Sequence, residues 1–251
     1  LISVTGTLFA YFSIVLVNFG DFSRYVKNEK DLSFGNFSLL FNLILFSFFS
    51  ILIVLGSDII LTKNMIEVDQ LLTNPTDIIG KFDNTFLTIV ALLFILFASA
   101  STNLIANYIP SQNALINLSP SNLSPKSSGL IIILCGFFVG LFWTPILSQI
   151  GILSFVDTFG AFFGPIFGIM IIDYYIIKNQ TINNKDIFSS LNDSVYYYSN
   201  GWQLKGIYSL LIGFIFASST IWNGNLTFLQ TYAWLIGALS SSIVYYLLAS
   251  K

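Results

Sequence analysis

Long apolar runs recur along this sequence, and they restrict its fold more than any other feature. A helix needs about 20 predominantly apolar residues to cross a hydrocarbon core of about 30 Å, and such runs occur from one end of the 251-residue chain to the other. Every backbone amide in such a run must be bonded within the protein, which selects helices. We therefore predict an all-α polytopic protein that lies in a lipid bilayer.

The composition supports a membrane location and excludes several functions. Charged residues make up 9% of the chain, whereas a soluble protein carries about a quarter. The 26 Phe outnumber the 10 basic and 12 acidic residues together, and there is no His, which disfavours a haem or imidazole metal site. We expect no nucleic-acid partner. We also expect no enzymatic activity, because the helices offer no paired acids, histidine or cysteine-based nucleophile.

Seven transmembrane helices are predicted. Their approximate bounds are 1–18, 37–55, 86–108, 130–147, 152–177, 207–222 and 226–248. Apolar residues between Ile60 and Leu72 also suggest a short amphipathic helix on the outer mouth of the bundle, with a loop that packs its own side chains as the alternative.

The distribution of Lys and Arg predicts the orientation, because cytoplasmic loops carry an excess of both. If the segment after the first helix is cytoplasmic, only Lys63 and Lys81 lie outside. The residues that then lie inside are Arg24, Lys27, Lys30, Lys126, Lys178, Lys185, Lys205 and Lys251.

A run of small polar residues ends the third predicted helix. Ala98, Ser101 and Thr102 share one helix face because they stand at i, i+3 and i+4, and polar groups in hydrocarbon usually line a path or a site. The Ala98 carbonyl and the two hydroxyls would offer three neutral oxygens to a hard cation such as sodium. The same small residues would also let two helices pack closely, and the spacing alone leaves both interpretations open.

Asn107 is the candidate substrate residue in the same run. It lies five residues beyond Thr102, about 140° around an ideal helix, so it faces away from the three oxygens unless the helix is distorted. Its carboxamide offers a donor and an acceptor side by side, which matches the amide edge of a lactam, hydantoin or pyrimidine ring. Asn103 is a rival for this role, and capping of a helix end before Pro110 is the alternative role for Asn107.

Four segments together resemble one family of transporters. Residues 18–25 read Asn-Phe-Gly-Asp-Phe-Ser-Arg-Tyr, residues 101–110 read Ser-Thr-Asn-Leu-Ile-Ala-Asn-Tyr-Ile-Pro, residues 159–175 end in Ile-Ile-Asp-Tyr-Tyr, and residues 196–202 read Tyr-Tyr-Tyr-Ser-Asn-Gly-Trp. They are similar, in the same order, to motifs of the nucleobase:cation symporter-1 family, which transports nucleobases, hydantoins and allantoin. The resemblance covers essentially the whole chain.

The resemblance implies a fold of the leucine-transporter type, with an inverted repeat of five plus five helices. The seven helices would correspond to the family's sixth to twelfth helices in a single transmembrane domain over 1–251. The second repeat would cover about 1–177 and two trailing helices about 206–249. The chain lacks a starting Met and looks cut, so helices one to five, which would supply further ligands, are expected to be missing from it.

The resemblance also assigns site residues. The family's sodium ligands fall on the Ala98 carbonyl and the hydroxyls of Ser101 and Thr102, and its substrate-binding Asn falls on Asn107. The Trp on which the family stacks its substrate is replaced here by Phe12, which keeps a flat apolar face but loses the indole donor. Sodium is the expected coupling ion, and no other cofactor is expected.

The sequence therefore favours a symporter of the plasma (inner) membrane that imports a nucleobase, hydantoin or allantoin with sodium. A proton-coupled transporter of the same class and a non-transporting subunit of a membrane complex are the alternatives. Asp157 would carry proton coupling, although a solvated carboxylate at the interface is the expectation for it.

Two further groups of residues have expected roles. Asp21 and Arg24 are expected to form a charged pair that holds a loop. The helix with Gly160, Gly164, Pro165 and Gly168 would close over substrate, or use its glycines for packing alone.

Overall fold

The computed structural model describes residues 2–63, 72–81, 83–183, 185–187, 189 and 191–250. Across these residues the regular structure is helical. The α-helices in the described part of the chain are α1 (Ile2–Val17), α2 (Phe19–Ser23), α3 (Glu29–Lys63), α4 (Pro75–Ile79), α5 (Thr85–Asn103), α6 (Ile109–Leu118), α7 (Pro125–Ile150), α8 (Ile152–Ile171), α9 (Leu204–Trp222) and α10 (Ala233–Ala249).

Three helical segments of other types adjoin these helices. A π-helical segment, Leu104–Tyr108, joins α5 to α6, and a second one, Ile172–Ile177, extends α8. A 3₁₀ helix, Thr227–Tyr232, leads into α10.

Six of the described helices are long and apolar enough to cross a membrane, which confirms the prediction of an all-α polytopic membrane protein. Their spans are Glu29–Ile60, Thr85–Leu118, Pro125–Trp143, Ser154–Ile177, Leu204–Trp222 and Thr227–Ala249, and a shorter apolar stretch, Leu8–Val17, lies in α1. The predicted fifth helix over 152–177 matches α8 and its π-helical extension. The chain is thus an integral membrane protein.

The predicted second helix was too short at both ends. Helix α3 has 35 residues, about 52 Å at 1.5 Å per residue, so it extends well beyond a hydrocarbon core of about 30 Å. The Asn28 Oδ1 accepts from the backbone N–H of Asp31 at 2.8 Å, and the Asn28 Nδ2 donates to the Asp31 carboxylate at 2.8 Å. This cap starts the helix in a polar stretch. Most of the amphipathic helix expected between Ile60 and Leu72 lies outside the described residues.

The predicted end of the third helix at Tyr108 was wrong, because the helix continues through Pro110 to Leu118. Proline has no N–H to give to the carbonyl four residues earlier, Ala106, and its ring clashes with that carbonyl. The helical turn widens by one residue instead, and the N–H of Ile109 bonds to the carbonyl of Leu104, five residues back. Such π adjustments allow proline inside membrane helices, and here the adjustment falls between Thr102 and Pro110.

The chain divides into two compact units, 1–19 with 133–251 and 20–132. In the first unit, α8 packs against α1, α9 and α10. A Cβ at Gly160 would overlap Ala10 of α1, and Cβ atoms at Gly164 and Gly168 would overlap backbone oxygens of α10, those of Trp234 and Ala238. Small residues let membrane helices approach this closely, so the glycine row of α8 is a packing surface.

In the second unit, side-chain bonds hold the first half of α6. The Gln112 Nε2 donates to the Tyr108 hydroxyl at 3.0 Å and to the carbonyl of Pro125, the first residue of α7, at 2.8 Å. The Asn113 Nδ2 donates to the Asp21 carboxylate at 2.9 Å. The pair expected between Asp21 and Arg24 is not among the ion pairs of the described residues. The Asp21 carboxylate accepts instead from the carboxamide of Asn113, 92 residues away in sequence.

Candidate functional site

The three oxygens singled out on α5 lie together in one cluster. The hydroxyls of Ser101 and Thr102 both donate to the Ala98 carbonyl oxygen, each at 2.9 Å. This follows from helix geometry, because positions i+3 and i+4 are both within reach of the carbonyl at i. All three residues are exposed, so the cluster lies on an open face of α5.

The cluster is suited to a hard cation. Cations that prefer oxygen ligands take them at about 2.3–2.6 Å, as calcium does, so oxygens 2.9 Å from a common carbonyl can ligate one ion together. Hydroxyl hydrogens rotate freely and leave lone pairs for an ion. Turning them away from Ala98 gives up two hydrogen bonds, each worth about 1 kcal/mol.

The same spacing occurs on α10, where it serves helix packing. Ser241 and Ser242 both donate to the Ala238 carbonyl, at 3.0 and 2.6 Å. Ser241 also donates to the Pro165 carbonyl of α8 at 3.0 Å and is fully buried. On α5, by contrast, the hydroxyl bonds found in the described structure stay within the helix. The pattern therefore has a packing role where a neighbouring helix covers it, and on α5 it is exposed.

Asn107 lies within the π-helical segment Leu104–Tyr108. A π turn acts as a one-residue insertion, which rotates the following residues back by about 100°. The offset of about 140° between Thr102 and Asn107 in an ideal helix is therefore reduced, and the distortion that the sequence left open is present. A capping role for Asn107 at a helix end is wrong, because the helix continues beyond it.

Asn103 connects this segment to the backbone of α5. Its Nδ2 donates to the Ser99 carbonyl at 2.9 Å, and its Oδ1 accepts from the Nδ2 of Asn107. Both carboxamides are exposed. The sequence named Asn103 only as a rival to Asn107, whereas the structure places it as the hydrogen-bond partner of Asn107.

Phe12 lies on α1, in the first unit, and is 37% exposed. Its ring packs edge-to-face on Tyr11, with centroids 5.1 Å apart. Nearby, α1 and α8 enclose a mostly apolar cavity of about 180 Å³ that Tyr11, Phe155 and Phe159 help to line. Phe12 does not belong to this lining.

Asp157 is buried, which overturns the expectation of a solvated carboxylate. The residue is 4% exposed, and the Oδ2 accepts from the Nε2 of Gln230 at 2.9 Å. Gln230 belongs to the 3₁₀ helix Thr227–Tyr232, which packs against α1, α9 and α10. The two residues are 73 positions apart, so no local pattern in the sequence indicates this contact.

The segments 159–175 and 196–202, which the resemblance named separately, meet at one end of α8. The Tyr245 hydroxyl donates to the Asp173 carboxylate at 2.6 Å, and the Lys178 ammonium lies 2.7 Å from the same carboxylate. Lys178 also donates to Tyr198 at 3.4 Å and lies 4.8 Å from the ring centroid of Tyr196. Burial lowers the pKa of Lys178, but the bond and charge of Asp173 together with Tyr198 outweigh it and raise the pKa above its ordinary value.

A tight turn shapes the loop that contacts Lys178. Asn200 and Gly201 both have positive φ, 53° and 85°, as a type I′ turn requires. Ser199 and Trp202 exchange two backbone hydrogen bonds across it, at 3.1 and 3.0 Å. This turn helps to enclose a cavity of about 300 Å³ beside Asp173.

Comparison with known proteins agrees with the resemblance. A family model described as a permease for cytosine/purines, uracil, thiamine and allantoin matches residues 1–237. A purine-uracil permease of Arabidopsis thaliana is 26% identical over 85% of the chain and 34% of its own length, and an allantoin permease of Bacillus subtilis is 25% identical over 98% and 48%. A hydantoin permease of Microbacterium maritypicum is 27% identical over 49% and 24%.

The chain spans about a third to a half of the length of the first two of these relatives. No solved structure matches it. The family model nevertheless covers nearly all of its residues, in agreement with the apolar spans. The chain belongs to the family of permeases for cytosine/purines, uracil, thiamine and allantoin.

Proposed function

We propose that the chain is part of a secondary transporter of the plasma (inner) membrane. It imports a small planar ring that carries an amide, such as a nucleobase, hydantoin or allantoin, together with sodium. Membership in the permease family supports transport, and the named relatives act on rings of this chemistry. In this proposal no covalent chemistry takes place.

The observation that carries sodium coupling is the cluster of three neutral oxygens in a membrane-spanning helix. Ala98, Ser101 and Thr102 present them within hydrogen-bonding distance of one another, on an exposed face of a span of 34 residues. Polar groups in a span are expensive and mark ion and substrate pathways. Further ion ligands would come from the helices that precede these in the leucine-transporter type of fold.

The proposed mechanism is alternating access between two arrangements of the transporter. Sodium bound at Ser101 and Thr102 favours the outward-open arrangement and prepares Asn107 to bind the ring. Closure of α8 then precedes release on the inside. Phe12 is a further proposed contact, in which its ring stacks on the substrate.

Sodium replacement combined with one hydroxyl deletion tests this function. In the full-length permease, uptake of uracil, hydantoin or allantoin should fall when choline replaces sodium at fixed pH. Ser101→Ala removes one ligand and should raise the sodium concentration for half-maximal uptake by about tenfold. Ser47→Ala is the matched control, because Ser47 is an exposed serine on α3 that also donates to its own helix, at 2.8 Å.

Burial of Asp157 favours one rival, a proton-coupled transporter. An ionisable residue inside a membrane span is a candidate for a proton relay, and Asp157 is buried in the span Ser154–Ile177. Under this rival, Asp157→Asn abolishes uptake, whereas Ser101→Ala and removal of sodium leave it unchanged. Under sodium coupling, Asp157→Asn retains uptake, whereas Ser101→Ala weakens the response to sodium and removal of sodium reduces uptake.

A non-transporting subunit is the remaining alternative, and the same variants address it. If the chain only supports a larger membrane complex, Ser101→Ala and Asn107→Ala should leave the activity of that complex nearly unchanged. Loss of uptake in Asn107→Ala, with normal amounts of protein in the membrane, would exclude this alternative.

A further inference from the structure

A short chain of hydrogen bonds fixes the direction of two carboxamides on α5. It begins at the Ser99 carbonyl, passes through the side chain of Asn103 and ends at the side chain of Asn107. The three residues follow at intervals of four, so they share one face of the helix. The chain of bonds lies directly beside the proposed substrate contact.

The orientation of both carboxamides follows from the chemistry of the Ser99 carbonyl. A backbone carbonyl can only accept a hydrogen bond, so the atom of Asn103 that faces Ser99 must be its Nδ2. The Oδ1 of Asn103 therefore faces Asn107, and the atom of Asn107 that meets it must be a donor, its Nδ2. The Oδ1 of Asn107 is consequently directed away from Asn103.

We propose that Asn103 is a positioning residue, which holds the carboxamide of Asn107 so that its oxygen faces the substrate. This inference rests on the proposed function, and it adds a rule for the substrate. The ring must donate an N–H where it meets Asn107, as the N–H between two carbonyls does in uracil and hydantoin. Cytosine has the size of uracil but carries a lone pair at the corresponding ring nitrogen, so it is disfavoured.

The π-helical segment contributes to this arrangement. Because Pro110 widens the turn at Leu104–Tyr108, Asn107 is rotated back towards Thr102 yet still reaches Asn103. Without Asn103, no bond in this series fixes whether the Oδ1 or the Nδ2 of Asn107 faces the substrate. The amide could then turn and offer an N–H to a ring nitrogen that accepts.

The test is the ratio of affinities for uracil and cytosine, measured by competition on the full-length permease, with hydantoin and allantoin as further N–H donors. The unmodified protein should prefer the N–H donors by at least about tenfold, and Asn103→Ala should reduce this preference by about tenfold. Asn103→Asp still accepts from Asn107 and should keep the preference. A purely structural role of Asn103 would change all four affinities together and leave the ratio constant.

Asn42→Ala is the matched control. Asn42 donates to the Ser38 carbonyl of α3 at 2.8 Å, the same bond that Asn103 makes with Ser99, but in a different helix. The control should leave the ratio unchanged.

The outcomes separate this inference from the proposed function. If Asn107→Ala reduces uptake but Asn103→Ala keeps the full preference, or if the unmodified protein prefers cytosine, the positioning role is wrong and the transport function stands. If Asn107→Ala leaves the uptake of all four rings unchanged, the proposed substrate site itself is wrong.

Discussion

Replacing Gly168 by alanine tests the packing of α8 against α10. A Cβ at this position would overlap the Ala238 carbonyl oxygen and lie 2.7 and 2.8 Å from the hydroxyls of Ser242 and Ser241. Overpacking of this kind costs about 1–3 kcal/mol. We expect the upper end of that range, because one neighbour is backbone and the two hydroxyls already bond to Ala238.

The substitution also stabilises helix α8 itself, and this gain must be subtracted from the cost of overpacking. Alanine is favoured over glycine in a helix by about 1 kcal/mol, so the net destabilisation is about 2 kcal/mol. In a protein of 150–250 residues, 1 kcal/mol shifts the melting temperature by about 2–4 °C, and a longer protein shifts less, which predicts a decrease of at most about 4–8 °C for Gly168→Ala. Thermal unfolding of the full-length permease in detergent, followed by gel filtration, measures it.

Gly136→Ala is the control for this experiment. Gly136 lies in α7, and a Cβ built on it meets nothing within 4 Å, so only the gain in helix propensity remains. Its melting temperature should be equal or higher. Equal melting temperatures for Gly168→Ala and the unmodified protein would refute the close contact between α8 and α10.

Three other substitutions or conditions test the remaining contacts. Asp157→Ala leaves Gln230 without its partner and should lower the melting temperature by several degrees, because an unsatisfied buried polar group costs about 1–3 kcal/mol, whereas Asp157→Asn should restore most of the loss. Tyr245→Phe removes the hydroxyl that binds Asp173 and should both lower the melting temperature and speed protease cleavage between 178 and 203; unchanged cleavage would contradict the role of Tyr245 in holding this loop. Because the pKa of Lys178 is raised, its pair with Asp173 contributes fully below the ordinary value of 10.5 and is lost only as the pH rises through the raised value. The difference in stability between the unmodified protein and Lys178→Met should therefore stay constant from about pH 7 to 10 and shrink above that, and a difference that vanishes near pH 8 would contradict the raised pKa.

Hydrophobicity alone was sufficient for the membrane class and for most helix positions, because the cost of placing unbonded backbone in lipid leaves few alternatives. It was insufficient where a helix leaves the membrane. The polar ends of α3 resemble loops in composition, and only the cap formed by Asn28 and Asp31 marks the start of the helix. That capping pattern is readable in the sequence, whereas hydrophobicity does not reveal it.

Pro110 shows a second limit of sequence rules. Proline usually ends a helix, and this rule predicts an end at Tyr108. In a membrane span the unbonded carbonyl makes an end costly as well, so the helix adopts a π turn and continues. The sequence contains the proline but does not indicate whether ending the helix or widening one turn costs less.

The candidate site was predictable only where its geometry is local. Ala98, Ser101 and Thr102 lie within one turn, and their clustering follows from helix spacing. The partners of Asp157 and Asp21 are 73 and 92 residues distant, so they depend on tertiary packing that no short pattern encodes. The resemblance to permeases identified the family, which the family model then confirmed.

Binding of radioactive sodium to the purified full-length permease tests the central claim most directly. The account predicts saturable binding of one ion that uracil or allantoin strengthens, as reciprocal coupling requires. It also predicts weaker binding in Ser101→Ala and Thr102→Val and normal binding in Ser47→Ala. Sodium binding that is undiminished in both α5 variants would contradict the assignment of these oxygens as the ion site.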